Sequence, residues 1–491
     1  MSPSPRTPVL VGAAVADQRC DDPREALEPI ALMIAACEAA ARDAGSRALL
    51  ARIDRVAVPR GFWLYPDPGR IVAEHFGAAG ATTLVAEFGV LQQTLLADAC
   101  RAIAAGESDV ALVTGGDAKY RSLRAERAGV TLADTVQGDV RPSQVWRPHD
   151  VLWSELEWAR GLRMPVGYYA LLESALRHAE GLSLEAHARE LGRLYADFSA
   201  VAVGNPHAWR REPTSAEAIA TPGAANPMLA FPYAKLHTSS WNVDQAAGLI
   251  LCSLERARAL GIPDERLVFP LAASESNHML PVCQRDSLAH SEAARIAGQR
   301  ALTHAGVEAR ALGPVDLYSC FPVAVRLVAE ALELDPGRRL TVTGGMPFAG
   351  GPVNNYALQA TARMVEVLRE GDGAPGLVSS VSGMFTKQGF GLWATEPPAR
   401  PFAFEDVSDA VAMASPARPL DAEPDGEARI VGYTVLHEQG APARAIAVCD
   451  LEGDARTVAF STDAALMAAM MREEFCGRVV RVSADGAFQS S

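Results

Sequence analysis

The stretch Leu91-Gln-Gln-Thr-Leu-Leu-Ala-Asp-Ala-Cys-Arg-Ala-Ile-Ala-Ala-Gly-Glu-Ser-Asp-Val-Ala-Leu-Val-Thr-Gly-Gly116 decides the fold class. Its Ala-rich first part predicts a helix over Leu91–Ala105, which Gly106 breaks. Asp109–Gly116 then reads as a short, largely apolar strand ending in paired glycines. Upstream, Pro8-Val-Leu-Val-Gly12 is a strand stopped by glycine, and Ile53–Val58 is a second strand. Between them, helical spacing runs from Pro29 to Ala41 through Ile30, Met33, Ile34 and Cys37. This alternation implies a buried, largely parallel sheet flanked by helices, an α/β protein.

The same grammar returns downstream. Val315-Asp-Leu-Tyr is a strand, Val323–Leu332 and Asn355–Arg369 are helices, and Gly376-Leu-Val-Ser-Ser-Val-Ser-Gly383 is a strand ending in glycine. Helix, Gly-containing turn, strand and Gly thus occur at 91–116 and again at 355–383, which points to a duplicated α/β unit; two unrelated α/β domains are the alternative. Residues 118–235 differ, being rich in Arg, Trp and Tyr, with amphipathic helices at Tyr168–Ala179 and Leu184–Asp197 and a loop at 221–232. They read as a helical excursion that covers part of a substrate site. Beyond Trp393, a linker, Glu396-Pro-Pro-Ala-Arg-Pro401, and a Pro-, Asp- and Ala-rich stretch over 399–425 lead to short strands at Ile430–Val435, Ala445–Cys449, Thr457–Ser461 and Arg478–Ser483 around one helix, Ala464–Met471. That is a small β-rich module, barrel-like and similar to oligonucleotide/oligosaccharide-binding domains. The expected domains are 1–117 with 236–258, 118–235, 259–398 and 399–491.

At 491 residues the chain needs two or three domains. Its net charge of −14 disfavours nucleic acid as the main partner but leaves room for a small phosphorylated ligand. The N-terminal Met1-Ser-Pro-Ser-Pro-Arg has no apolar signal core, and Ala246–Leu254 is too short to cross a bilayer. Eight scattered cysteines without a CxxC pair fit reduced thiols rather than a disulfide framework or zinc site. No membrane, no metal and a cytoplasmic location are expected.

Four stretches carry a family resemblance. Gly106-Glu-Ser-Asp-Val-Ala-Leu-Val-Thr-Gly-Gly-Asp resembles the thiolase segment after the nucleophile helix. Ser239-Ser-Trp-Asn-Val-Asp-Gln-Ala-Ala-Gly is similar to the thiolase S-G-x-N-D-G-A-A-A run. Asp316-Leu-Tyr-Ser-Cys-Phe321 resembles H-D-C-F of the sterol-carrier-type thiolases, and Gly344-Gly-Met-Pro-Phe-Ala-Gly-Gly-Pro352 resembles their G-G-x-x-x-x-G-H-P loop. With the extra C-terminal module, the chain is similar to the bacterial type 1 thiolase-like proteins, often called acetyl-CoA acetyltransferases. The resemblance implies a duplicated thiolase fold in α-β-α-β-α layers. It also implies coenzyme A or acyl-CoA as ligand with no covalently bound cofactor, and an active site where two central helices begin.

Thiolase chemistry needs a cysteine thiolate, a base and two oxyanion holes. Counting back from Gly106, the nucleophile position falls at Gly89, and Cys100 is too deep in the helix to replace it. The acid/base cysteine's place is taken by Ser380 or its neighbours, and the G-H-P histidine by Gly351. The H-D-C-F histidine becomes Tyr318 and its aspartate Ser319. Backbone amides at Gly89 and at Ser382 or Gly383 can still hold a thioester oxygen, and Ser239 matches the serine that contacts the pantetheine arm. Tyr318, alone or with Tyr356, is the candidate acid/base group; the plainer reading is that it fills space. Cys320 is a further candidate whose family equivalent is structural. Asn354 and Asn355 can donate to a carbonyl, although Asn at a helix start is first a cap. His278 lies on a loop near the cleft, and Arg121, Arg124, Arg127 and Arg141 face coenzyme A phosphates or only solvent.

Three functions follow. One is a coenzyme A thioester-binding, acyltransferase-like protein without Cys-dependent thiolysis. Another is an aldolase-type C–C lyase acting on β-hydroxyacyl-CoA through Tyr318. The third is a scaffold recruiting a protein partner through the C-terminal domain. Homodimer and monomer both remain open, because the superfamily pairs through its central sheets and an added domain can block that contact.

Overall fold

The structure, a computed structural model, describes residues 3–148 and 152–490. The readings made on Met1-Ser2 and on residues 149–151 of the excursion lie outside the described residues. The first half contributes strands β1 (Pro8–Asp17), β2 (Arg55–Pro59), β3 (Thr82–Ala86), β4 (Val110–Ala118) and β5 (Gln144–Trp146). After two short strands, β6 (Met228–Ala230) and β7 (Tyr233–Ala234), comes β8 (Asp244–Ser253). The sheet order is β1-β8-β4-β2-β3-β5. β2 runs parallel to β3 and β4, whereas β8 lies antiparallel between β1 and β4. The sheet is therefore mixed rather than largely parallel, because the chain re-enters its centre in the opposite direction after the excursion. Strand β1 also runs past Gly12 to Asp17. Gly12 marks a close approach instead of a stop: a Cβ there would lie 2.2 Å from the Ala40 carbonyl oxygen of helix Pro29–Asp43.

The second half contains β9 (Phe269–Ser276), β10 (Val315–Asp316), β11 (Gly376–Ser382), β12 (Lys387–Ala394) and β13 (Ala403–Asp406), in the order β10-β11-β12-β9-β13. Its first four strands reproduce the first half. β10 is parallel to β11, and β11, β12 and β9 then alternate, as β2, β4, β8 and β1 do. The helices Gln92–Ala105 and Tyr356–Glu370 precede the matching strands β4 and β11 and lie between the two sheets, where they touch each other. These are the two central helices of a duplicated α/β fold.

Two regions differ from expectation. Part of the Pro-, Asp- and Ala-rich stretch 399–425 is structured: β13 pairs in parallel with β9, and helix Ser408–Ala414 follows it. A boundary at 398 therefore cuts through the second sheet. In the excursion, β5 pairs with β3 and covers the edge of the first sheet.

The C-terminal strands β14 (Gly426–Glu438), β15 (Ala441–Asp450), β16 (Arg456–Ser461), β17 (Val479–Val482) and β18 (Phe488–Ser490) form an antiparallel sheet of order β16-β15-β14-β17-β18. A bridge between Phe460 and Ala487 brings its two ends together, which gives the barrel-like closure. Helix Ala464–Met470 packs on it. The module is clamped to excursion helix Pro165–Ala179. Ser174 Oγ accepts from the Tyr433 amide (2.8 Å), and Arg177 bridges Glu474 and the Tyr433 hydroxyl.

A buried ionic knot joins the excursion to the second half. Glu173 accepts from the Tyr233 hydroxyl (2.5 Å) and from Arg326 of helix Pro322–Ala331 (2.6 Å), with His187 at 2.9 Å. Two of the four arginines considered for phosphate binding are paired with acids: buried Arg121 with Asp134 (2.5 Å), and Arg124 at the surface with Asp21 (3.4 Å). Among the described residues, no helix is long and apolar enough to cross a membrane.

Candidate functional site

The two central helices begin side by side, and a glutamine ties them together. Gln92, the first residue of its helix, donates to Asn354 Oδ1 (2.9 Å) and accepts from the Ala357 amide (3.2 Å). Asn354 in turn donates to the Arg60 carbonyl (3.2 Å) and holds a positive φ of 55°. Its amide is thus a tether between the halves rather than a free donor. Asn355 occupies the N-cap position but makes no capping bond; its side-chain amide is buried without a partner among the described residues.

Gly89 lies in the turn between β3 and the first central helix, at φ +100°. A Cβ on it would stand 2.7 Å from Pro148 Cγ. Backbone and neighbour both exclude a side chain here, because L residues rarely adopt this φ and the proline ring would have to move. Gly351 is similar in effect. Its amide donates to the Ser240 carbonyl (3.0 Å), and a Cβ would sit 2.3 Å from Ser239 Oγ. A histidine at 351 would displace Ser239, whose own hydroxyl is buried and unpartnered among the described residues.

Across the cleft the polar groups are dense. Asp316, at the end of β10, accepts from the Thr341 hydroxyl, the Val342 amide, both the amide and hydroxyl of Thr343, and the Tyr356 hydroxyl, all at 2.8–3.0 Å. Burial nonetheless holds its pKa above the usual carboxylate value. Tyr356 is locked by these bonds. Tyr318 packs edge-on against it, ring centroids 5.5 Å apart, and its own hydroxyl has no hydrogen-bond partner among the described residues. Burial pushes the Tyr318 phenol up, so it is protonated at neutral pH and acts as a donor first.

Ser380 is not at the turn. It pairs with Gly389 inside the sheet, fully buried, facing Leu91 and Gln93. The turn itself is Gly383–Thr386, with Gly383 at φ +65° and Phe385 at φ +63°; half-buried Ser382 ends the strand before it. Tyr169 from the excursion stacks on Phe321 (centroids 4.4 Å apart) and directs its hydroxyl towards the Gly383 carbonyl. Cys320 lies beside Tyr169, and burial pushes its thiol up to about 12, so the thiolate a nucleophile needs is suppressed. Cys100 is also buried, in mid-helix. His278 lines a separate cavity adjoining the turn.

Sequence reasoning missed Gln92, Asp316, Tyr169 and Pro148. Asp316 stood inside the quoted motif, but its role depends on Thr341 and Thr343, which lie far along the chain. Nothing in the sequence signalled that Pro148 meets Gly89.

Residues 406–487 match the family model described as the thiolase-like protein type 1 additional C-terminal domain. A monomeric SCP2-thiolase like protein type 1 from Mycobacterium smegmatis is 28% identical, with all of both chains covered and a TM-score of 0.84. An Ltp2-ChsH2(DUF35) aldolase is 19% identical over 80% of this chain and 99% of its own, with a TM-score of 0.61. An acetyl-CoA acetyltransferase from Syntrophomonas wolfei is 18% identical over 79% and 99%, with a TM-score of 0.56. No curated protein matches in sequence. The duplicated fold, with its two central helices beginning side by side, is the fold that these thiolase-like structures share. With the added C-terminal domain and the full-length likeness, the chain is similar to the type 1 thiolase-like proteins.

Proposed function

We propose that the protein binds a coenzyme A thioester without forming an acyl-enzyme. The observation that carries this is Gly89, with φ +100° and Pro148 against its Cα, where the acyl-carrying cysteine is expected. Ser239 with its unpartnered hydroxyl supports a pantetheine contact, and the backbone amides at Gly89 and at the Gly383 turn are candidate donors to the thioester oxygen. Robust cleavage of acetoacetyl-CoA by the full chain overturns this reading; binding of coenzyme A by calorimetry without thiolysis supports it.

A second reading is favoured by Tyr318, whose hydroxyl is unpartnered while Tyr356 beside it is locked to Asp316. As an aldolase-type residue, Tyr318 would exchange a proton with the hydroxyl of a β-hydroxyacyl thioester, as the family resemblance suggests. Mass spectrometry should then show aldehyde release that Tyr318→Phe abolishes; equal release from the variant makes Tyr318 a packing residue. The third reading, recruitment of a protein partner through the C-terminal domain, predicts a pull-down interactome that changes when residues 399–491 are removed. In this proposal the protein is monomeric, because β5 occupies the sheet edge beside β3. Light scattering tests that.

A further inference from the structure

A cavity of about 300 Å³ opens against the Gly383–Thr386 turn. Leu172, His278, Arg285, Phe385, Thr386 and Val411 contribute to its wall. Two elements place it beside the Gly383 turn and Tyr169. Phe385 and Thr386 belong to the same turn as Gly383, and Leu172 lies one helical turn beyond Tyr169. Phe385 stands between them, edge-on to Tyr169 at 6.4 Å, in a left-handed conformation rare for so bulky a residue. Val411 belongs to helix Ser408–Ala414, within the region matched by the additional C-terminal domain model.

The wall is mixed, apolar at Leu172, Phe385 and Val411 and polar at Arg285, Asp286 and Glu292. Arg285 donates to the Leu280 carbonyl (3.3 Å) and to the Met384 carbonyl, and no carboxylate lies within ion-pair distance among the described residues. Burial lowers its pKa to about 10. The charge of buried Glu157 favours ionised Arg285, though not within ion-pair distance, and the other acids nearby are engaged elsewhere. Glu157 accepts from the Ser154 and Cys283 amides, Glu292 pairs with Arg295, and exposed Asp286 lies 3.9 Å from Arg418. His290 on the rim pairs with Glu330 (2.9 Å). His278 Nε2 is buried without a partner among the described residues. A sequestered guanidinium bonded only to carbonyls is a place for an anion to complete.

We infer that this cavity receives the acyl group of the thioester and selects chains that end in a carboxylate, which Arg285 neutralises and His278 hydrogen-bonds. The inference rests on the thioester reading above. It makes Arg285 a specificity-determining residue and the C-terminal addition part of the substrate pocket. Calorimetric titration of the full chain with coenzyme A, acetyl-CoA, hexanoyl-CoA and adipoyl-CoA tests it. Adipoyl-CoA should bind about 10-fold more tightly than hexanoyl-CoA, the difference expected for one charge-assisted hydrogen bond. Arg285→Gln should bring that ratio to unity. Ala414→Glu, at an exposed position on the rim, should reverse it by adding a competing carboxylate, even if the Arg285 variant does not fold. Binding of coenzyme A without any preference between the two six-carbon esters overturns this inference alone. A preference that survives both substitutions overturns it too, and no binding of coenzyme A removes the thioester reading and this inference together.

Discussion

The two halves share strand order and direction, yet the chain treats their two helix entrances differently. At the first entrance Gly89 carries no side chain and Pro148 lies where one would begin. At the second, the end of β10 gathers Asp316, Thr341, Thr343 and Tyr356 into a buried hydrogen-bonded cluster, with Tyr318 against it. One entrance is stripped to backbone, while the other is rich in side chains. The first turn contributes backbone geometry to the fold, whereas the Asp316 cluster holds β10 to the loop of 341–345.

The largest effect should come from breaking the rich side. Asp316→Ala leaves five buried donors without their acceptor and should cost about 3–5 kcal/mol in urea unfolding. A loss below about 1 kcal/mol would mean the cluster does not organise that entrance.

The cover that brings Pro148 and Tyr169 to the cleft has its own weak point in Glu173. Burial alone would raise its pKa, but Arg326, His187 and Tyr233 outweigh that and bring it to about 2 from the ordinary 4.5. A depressed carboxylate stabilises the fold above its unfolded pKa, and that stability is lost as pH falls from 4.5 towards 2. Over that window the wild type should lose about 3 kcal/mol more than Glu173→Gln, measured as unfolding free energy against pH. Parallel curves for the two proteins would remove Glu173 from the cover's attachment.

On the stripped side, Gly89→Cys should destabilise by about 1–3 kcal/mol, through the positive φ and the Pro148 contact, without conferring acetoacetyl-CoA thiolysis. Thiolysis in this variant would show that the missing cysteine is the only deficit. The smallest pair refines the second entrance. Tyr356→Phe should cost about 1–2 kcal/mol because its hydroxyl is bonded to Asp316, and Tyr318→Phe should stay within about 0.5 kcal/mol. Equal thermal shifts would erase the distinction between a locked and a free tyrosine.

Much of the scaffold was legible in the sequence. Leu91–Ala105, Asn355–Arg369 and Gly376–Gly383 fall within a residue of the observed helices and strand, because local propensity and glycine stops act over a few residues. Gly12 misled because a strand glycine that admits a helix looks like one that ends a strand. The Pro-, Asp- and Ala-rich composition of 399–425 hid β13, since a short edge strand is decided by its partner β9 and not by its own composition.

The sequence by itself determined the repeated α/β grammar, the added C-terminal module and the absence of cysteine at position 89, all of which are properties of local pattern. Tertiary structure alone decided that Pro148 lies against that position, that Ser380 is turned into the core, that Asn354 is a tether, and that Arg285 has no ion-pair partner among the described residues. Each of these depends on which distant residue stands within a few ångströms, and contact between remote segments is set by packing rather than by spacing along the chain.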